Sequence, residues 1–551
     1  MRRAGARNVR PVRVRGAAVR AGTLALAFAA MLAGVPLATE AVNGFARYQP
    51  ATLEAPVARA PARHCTVTFL RERGFAGGPP ASVPLQPPAA CPGPWSQIVL
   101  ELETRVKGVQ YDRIGAVRLD GRYELLRFST AEPTPHGIRY RVERDVSEYA
   151  SLLRAPRSLD VQVENVVNKE YTGIIYLTGR LTYYEPAPGY PRAVPANAIL
   201  PVPNGAHPQP WVGTGRAARA VFAHLPRNLV RARLDVYATN HGCDEFWYTN
   251  VPDEYAARHR KDQLCGGGPY RELDVWIDGR LANVVYPFPY IWTGGINPLL
   301  WRPLSAIHTL NVPPYPVDLD AWAGQLSDGR PHSFAVTVYN DRGRWPLDAN
   351  LFLWTDPRRA RTGGRVTYDD IARSPLEATA DGLRPAGGTL RVTATRHWRV
   401  AGYVDTSSGR IRHSLESDMH FRNVQLLDLP NGLQNATQET AFVQTTIARG
   451  PAGTRRERVA TSYPLVADSR YPPPERSKPY VLVIEADVRQ ALLREGAGSS
   501  CAWRVVATAT LKRKRAHVDA LATGHTLETN RCSGAAGTWS FRESAADGRL
   551  H

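Results

Sequence analysis

The clearest regularity along the chain is a period of two in its apolar positions. In SQIVLELET (96–104), Ile98, Leu100 and Leu102 fall on one face, with Glu101 and Glu103 on the other. SLDVQVEN (158–165) sets Leu159, Val161 and Val163 against Asp160, Gln162 and Glu164, and RELDVWID (271–278) repeats the pattern with Leu273, Val275 and Ile277. Such alternation predicts strands packed on one side and wetted on the other. Helical heptads are not sustained anywhere. With 45 Gly, 45 Pro and only 3 Met, the composition favours many short strands joined by turns. The expectation is an all-β protein.

At 551 residues the chain exceeds one ordinary core, and three domains are expected. Pro-rich sequence near 185–210 and RPAGG at 384–388 mark the breaks. The resulting division is 63–205 and 206–385 for two β-domains and 386–551 for a C-terminal β-rich region. An internal echo supports two related domains. DVSEYASLLRAPRSLDVQV (145–163) parallels DLDAWAGQLSDGRPHSFAVTV (318–338) at an offset of 173, and VRLDG (117–121) parallels VWIDG (275–279) at 158. Both short motifs predict a strand closing in a tight Asp-Gly turn.

Charge alters this picture less than its size suggests. The formal net charge is +19, but seven arginines lie in the first 20 residues without an acid, so +12 is left for the rest. That remainder is diffuse and lacks a basic stripe interleaved with aromatics, so no nucleic-acid partner is expected. The basic head precedes the uncharged stretch AGTLALAFAAMLAGVPLA (21–38), which reads as a signal peptide or signal anchor over 1–38. An Ala/Pro-rich linker over 39–62 follows. The bulk of the chain is therefore expected outside the cytoplasm, secreted or periplasmic, and membrane-bound only if the head is retained.

Cysteine usage agrees. The six cysteines fall in order as Cys65/Cys91, Cys243/Cys265 and Cys501/Cys532. An even count in an exported chain reads as disulfides. Six cysteines admit 15 pairings, so the sequential one is a preference. None shows the two-residue spacing of a zinc knuckle, and no metal site is expected.

Three segments place acids in unusual company: QYDRIG (110–115) with Tyr111, Asp112 and Arg113, VQVEN (161–165) with Glu164, and HGCDEFWYTN (241–250) with Asp244, Glu245, Trp247 and Tyr248. Exposed carboxylates are usually only solvated. Beside aromatic rings, which suit the CH-rich faces of sugars, they also fit general acid–base chemistry on a carbohydrate. No G-x-S-x-G elbow, phosphate-cradling Gly loop or H-E-x-x-H motif is present.

Longer stretches carry a resemblance. YDRIGAVRLDGRYELLRFSTAEPTPHGIRYRVERDVSEYASLL (111–153), DEFWYTNVPDEY (244–255), GGGPYRELDVWIDG (266–279), YIWTGGINPLLWRPLSAI (290–307) and LDANLFLWTD (347–356) resemble the peptide-N-glycosidase A family. The resemblance runs from about Cys65 through the second domain and continues weakly beyond. It implies hydrolysis of the amide between Asn and the first N-acetylglucosamine of N-linked glycans, leaving Asp. No cofactor is implied, and the implied partners are N-glycosylated peptides and glycoproteins, met by a monomer. The three acidic segments are also similar to those of the peptide-N-glycosidase F enzymes, built from two jelly rolls. The expected architecture is thus two adjacent antiparallel jelly-roll-like β-sandwich domains plus the C-terminal region.

On these similarities Asp112 is the principal catalytic carboxylate, Glu245 orients the first sugar or the water, and Glu164 holds the peptide side or tunes Asp112. Arg113 keeps Asp112 ionised or stabilises an oxyanion. Tyr111, Trp247, Tyr248, Trp292 and Trp301 are candidate sugar contacts, joined by Asn297 and Arg302, while Asp244 sits in the binding loop and caps or orients it. Trp301 is also a candidate for the core. Two other functions share these features: a glycan-binding β-protein without turnover, and a glycosidase cutting within the glycan.

Overall fold

The computed structural model describes residues 56–133, 137–203, 217–297, 300–301, 304–371, 374–472, 480–496, 498–514, 520–534, 537–546 and 549–550. The segment 1–38, most of the linker, and Arg302 lie outside them. Among the described residues no helix is long and apolar enough to cross a membrane.

Five antiparallel sheets account for nearly all regular structure. The first sandwich has a four-stranded sheet in the order His64–Phe75, Ile175–Tyr184, Gln97–Val106, Ile138–Asp145. Its five-stranded partner runs Asn311–Val312, Tyr123–Ser129, Ile114–Leu119, Arg157–Val163, Ala81–Leu85. Ile98, Leu100 and Leu102 meet Val117, Leu126 and Val161 between the sheets, all fully buried. The sequence alternation thus marks the packed face correctly. Gln162 and Asp274, expected on wetted faces, are buried as well, because further structure covers those faces.

The second sandwich pairs the sheet Ala218–Phe222, His332–Val338, Leu273–Ile277, Arg280–Val285 with Tyr315–Asp318, Leu229–Ala238, Leu347–Thr355, Ala198–Val202. The third element is an eleven-stranded sheet with hairpins up to 20 residues a side. One face of it, including Leu390, Val392, Trp398 and Val400, shares a continuous core with the second sandwich.

Strand pairing crosses the composition breaks. Ala198–Val202 precedes 205 yet joins the second sandwich, and Gly363–Asp369 and Leu376–Arg384 precede 386 yet pair with Gly387–Thr406 of the large sheet. Proline and glycine content marks where the chain turns, whereas sheet membership follows hydrogen-bond partners that can lie far along the chain.

The cysteines join in the sequential order. Cys65 bonds Cys91, Cys243 bonds Cys265 and Cys501 bonds Cys532. Cys91 is fully buried, and its carbonyl accepts from Trp95 Nε1 at 2.8 Å, so the first bridge ties the strand His64–Phe75 to the turn that opens the core. Cys532 stands directly opposite Cys501 in the pairing of Ser499–Lys514 with Ala520–Gly534, so the third bridge staples neighbouring strands of the large sheet.

The internal echo is a structural one. Asp120 and Asp278 both adopt φ of 51° before glycines with positive φ, as a type I′ turn requires. Asp120 N–H donates to Ser158 O and its carboxylate accepts from Ser158 N–H, and Asp278 repeats both bonds with Ser333. Asp145 and Asp318 likewise each accept from the backbone N–H two residues on. Ser158 and Ser333 are 175 apart, so the second copy holds two more residues before its strand than the offset of 173 allows.

A buried ionic cluster fixes the two sandwiches to each other. Arg118 bonds Asp348 at 3.1 Å and Glu124 at 3.2 Å, and Arg127 bonds Glu124 at 2.7 Å and the Pro346 carbonyl at 2.5 Å. Two arginines against two carboxylates, each satisfied, avoid the cost of an unpaired buried charge.

Candidate active site

Three neighbouring strands of the first sandwich end together, and each end carries an acid. Asp112 precedes Ile114–Leu119. On one side Gly115 pairs with Val163, and the Glu164 N–H donates to Ile114 O at 2.9 Å. On the other side Ile114 pairs with Ser129, Thr130 N–H donates to Arg113 O at 2.8 Å, and the chain reaches Glu132 two residues later. The sheet ladder therefore sets Glu164, Asp112 and Glu132 side by side.

The second sandwich supplies the facing wall. Cys243–Cys265 closes a loop across a separation of 22 residues, and inside it Glu245 is held by Asn240, whose side-chain N–H donates to Glu245 O at 2.7 Å. The other two bridges have no such place. Cys65–Cys91 and Cys501–Cys532 brace strands in the first sandwich and the large sheet rather than the acid-bearing loop. Thr293 links the walls: its hydroxyl donates to Thr130 O at 3.0 Å and accepts from Glu132 N–H at 3.2 Å. Arg344, bridged through its backbone to His241, reaches Glu164 at 3.6 Å.

The cluster is electrostatically strained. Burial raises the Asp112 carboxyl well above its ordinary range, and the nearby Glu245 and Glu132 charges push it further; Arg113 opposes this without reversing it. Burial raises Glu245 also. Glu164 is raised by burial against the pull of Arg344 and Arg113. Asp112 is thus the member whose protonated form burial and neighbouring charge both favour. Arg113 is steadied by Gln110 Oε1, which accepts from its Nε at 3.1 Å and from a terminal nitrogen at 2.6 Å.

The expected aromatic platforms divide. Tyr111 is 53% exposed and lies 5.2 Å from Tyr171, centroid to centroid, on the open side of Asp112. Trp247, Tyr248, Trp292 and Trp301 are at most 2% exposed, so none offers a ring face to a sugar. They are scaffold. Trp292 stacks between His241 and Tyr290 and donates to Asn240 O, while Trp301 donates to Gly295 O at 2.8 Å. Asn297, also expected at the substrate, is fully buried and donates to Ile484 O and Ala509 O of the large sheet.

Asp244 has a distinct task from Glu245. It is fully buried and takes two bonds from Arg271 (2.7 and 3.2 Å), one from Trp345 Nε1 (2.7 Å) and one from Arg342 N–H (3.0 Å). Burial works to raise it, but these donors together hold it below the usual carboxylate range. Asp244 anchors the loop and Glu245 alone faces the cluster.

No sequence signal singles out Glu132, Tyr171, Arg344 or His241. Glu132 stands in the quoted run STAEPTP, where a lone acid ahead of two prolines carries no distinguishing pattern. The His241 imidazole is buried on Trp292 and held neutral, down at about 3, by burial and by Arg344 and Arg127. No residue of the cluster belongs to a grouping suited to a metal ion among the described residues.

Fold and site together define an all-β protein with a carboxylate cluster, suited to proton transfer, at the seam of two sandwiches. Residues 51–371 match the family model described as peptide N-acetyl-beta-D-glucosaminyl asparaginase amidase A, and the chain belongs to that family. It is 34% identical over 387 residues to the peptide-N4-(N-acetyl-beta-glucosaminyl)asparagine amidase A of Prunus dulcis, covering 66% of this chain and 67% of that protein. Among solved structures, PNGase F, a glycosylasparaginase from Flavobacterium meningosepticum, is 14% identical over 53% of this chain and 96% of its own, at a TM-score of 0.35. PNGF-II is 15% identical over 53% and 66%, at 0.38. Both scores are too low to bear on the chemistry.

Proposed function

We propose that this chain is a peptide:N-glycanase, hydrolysing the amide between Asn and the proximal N-acetylglucosamine of N-linked glycans on peptides and glycoproteins. The observation that carries the reading is the seating of Asp112 between Glu245 and Glu132 in a chain of this family. An amide resists hydrolysis because its carbonyl is a weak electrophile and its nitrogen a poor leaving group. Protonated Asp112 donates to the amide carbonyl oxygen, and ionised Glu245 accepts a proton from water as its oxygen bonds to the carbonyl carbon. The tetrahedral intermediate then collapses, breaking the carbon–nitrogen bond as the nitrogen takes the proton held by Glu245. Asp112 recovers its own. The products are a glycosylamine and a peptide carrying Asp.

Glu164, braced by Arg344, lies on the peptide side of Asp112, and Tyr111 with Tyr171 supplies the open aromatic face for sugar. Three disulfides suit an oxidising compartment, in keeping with an exported enzyme.

The test is digestion of a defined glycopeptide in heavy-oxygen water, read by mass spectrometry. Amidase chemistry converts Asn to labelled Asp, and Asp112→Asn lowers turnover by about two to four orders of magnitude. Peptide still bearing one N-acetylglucosamine identifies a glycosidase instead. Intact substrate with folded protein identifies a binding protein.

A further inference from the structure

Positive charge that the sequence spreads thinly is gathered by the fold at one end of the large sheet. Three segments meet there: the turn between Gly387–Thr406 and Gly409–Asp428, the turn between Leu433–Gly450 and Gly453–Arg470, and the loop following Leu347–Thr355. Antiparallel register places Arg412 opposite Arg449, Arg456 opposite Ile447 and Arg458 opposite Thr445. Alternation turns these four arginines to the face away from the second sandwich, where all are exposed. None of the four is ion-paired to a carboxylate among the described residues.

Three acids at this end are already engaged, and one more, Glu416, shares the cross-strand row of Arg458. Asp405 is bonded by Arg410 at 2.7 and 2.9 Å, with Arg359 and Arg412 adding their charge. Glu457 is bonded by Arg455 at 3.1 Å, and Asp356 accepts from the Ser407 hydroxyl at 2.9 Å. A surplus of guanidinium is left over. A separate cleft of about 550 Å³, lined by Arg358, Arg455 and Thr406, opens on the opposite face toward the second sandwich and includes none of these four arginines.

We propose that this end of the large sheet binds an acidic polysaccharide, a chain bearing carboxylate or sulfate groups. Neighbouring strands lie about 4.8 Å apart and alternate residues of one strand about 6.8 Å apart, so a linear polyanion meets guanidinium forks at short, regular steps. Nucleic acid is disfavoured because the ring directly across from Arg412, Tyr403, is covered by Arg410 at 3.9 Å from its centroid. A membrane is disfavoured because no large exposed hydrophobic residue sits on these turns.

The full chain is to be titrated with heparin, a sulfated uronate polysaccharide, at about 0.15 M salt. Neutral dextran, duplex DNA and phosphatidylserine vesicles are titrated in parallel. R412S/R449S/R456S/R458S is expected to weaken heparin binding by tenfold or more, on the order expected for a salt-sensitive polyanion contact. The control R71S/R73S/R122S/R154S removes the same charge from exposed positions elsewhere and is expected to leave binding within twofold. Unchanged melting temperature and unchanged turnover of a small neutral glycopeptide in both variants keep folding and catalysis out of the comparison. Equal losses in the two variants, no loss in the first, or tighter binding of DNA or vesicles through the same four arginines would overturn the proposal.

Discussion

The carboxylate of Glu132 occupies the space in which a side chain at Gly294 would begin, and Gly294 holds φ of +85°. The two residues come from different sandwiches, so a backbone position in one fixes an acid in the other. Gly294→Ala meets both obstacles. It is expected to cost about 1–3 kcal/mol of stability from backbone strain alone. Activity should fall further than stability explains, because Glu132 is displaced from Asp112. Chemical denaturation beside turnover at a temperature where the variant is folded separates the two effects.

Glu132→Gln removes a charge that raises Asp112, so the limb of the kcat/KM profile that follows Asp112 should move to lower pH. Arg113→Met removes the one opposing cation and should move the same limb upward. A profile unmoved by both changes would separate that limb from Asp112.

Asp244 balances a fully buried guanidinium, so Asp244→Asn leaves Arg271 without its counter-charge. The expected loss is about 3–5 kcal/mol. Its folded pKa is depressed, so its contribution is present above the unfolded value and fades as pH falls through the folded one. Urea unfolding of the wild type and variant at neutral and strongly acid pH should show the gap closing in acid.

Other buried carboxylates act in the reverse direction. Burial pushes Glu272, Asp318 and Asp348 up to about 7 and Asp235 and Asp274 up to about 6. For each, the folded state binds a proton that the unfolded state has released, so stability rises as pH falls from 7 toward the unfolded carboxylate range. His241 and His413, held neutral by burial, oppose this below their unfolded value but are fewer. The melting temperature should therefore peak at mildly acid pH, about 5 to 6. A peak above pH 7 would contradict these assignments.

Cys243→Ser/Cys265→Ser opens the loop that carries Glu245. Closing 22 residues is worth about 3 kcal/mol through the unfolded chain. The expectation is that loss in stability together with a fall in kcat larger than the rise in KM, measured on a glycopeptide. Removing Cys65–Cys91 or Cys501–Cys532 in the same way should lower stability without that selective fall in kcat, since neither bridge holds an acid of the cluster.

The sequence by itself determined the strands, because a period of two in Leu, Ile and Val is imposed by water on any sheet with one packed face. It determined the Asp-Gly turns at 120–121 and 278–279, which only residues tolerant of positive φ can make, and it carried the family resemblance in contiguous motifs. The tertiary structure alone decided what stands beside what. It brought Glu132 to Asp112 through a strand pairing that no local pattern announces. It sent Trp247, Tyr248 and Trp292 into the core beside Trp301, since an aromatic ring looks the same in sequence whether it faces a sugar or a neighbouring sheet. Of three similar cysteine pairs, it set one beside the acids and left Cys91 and Cys532 to the scaffold. It also assembled arginines scattered over some fifty residues of chain into one charged edge. Periodicity is a local response to solvent and can be read along a chain; proximity across a seam depends on long-range pairing, and only the fold supplies it.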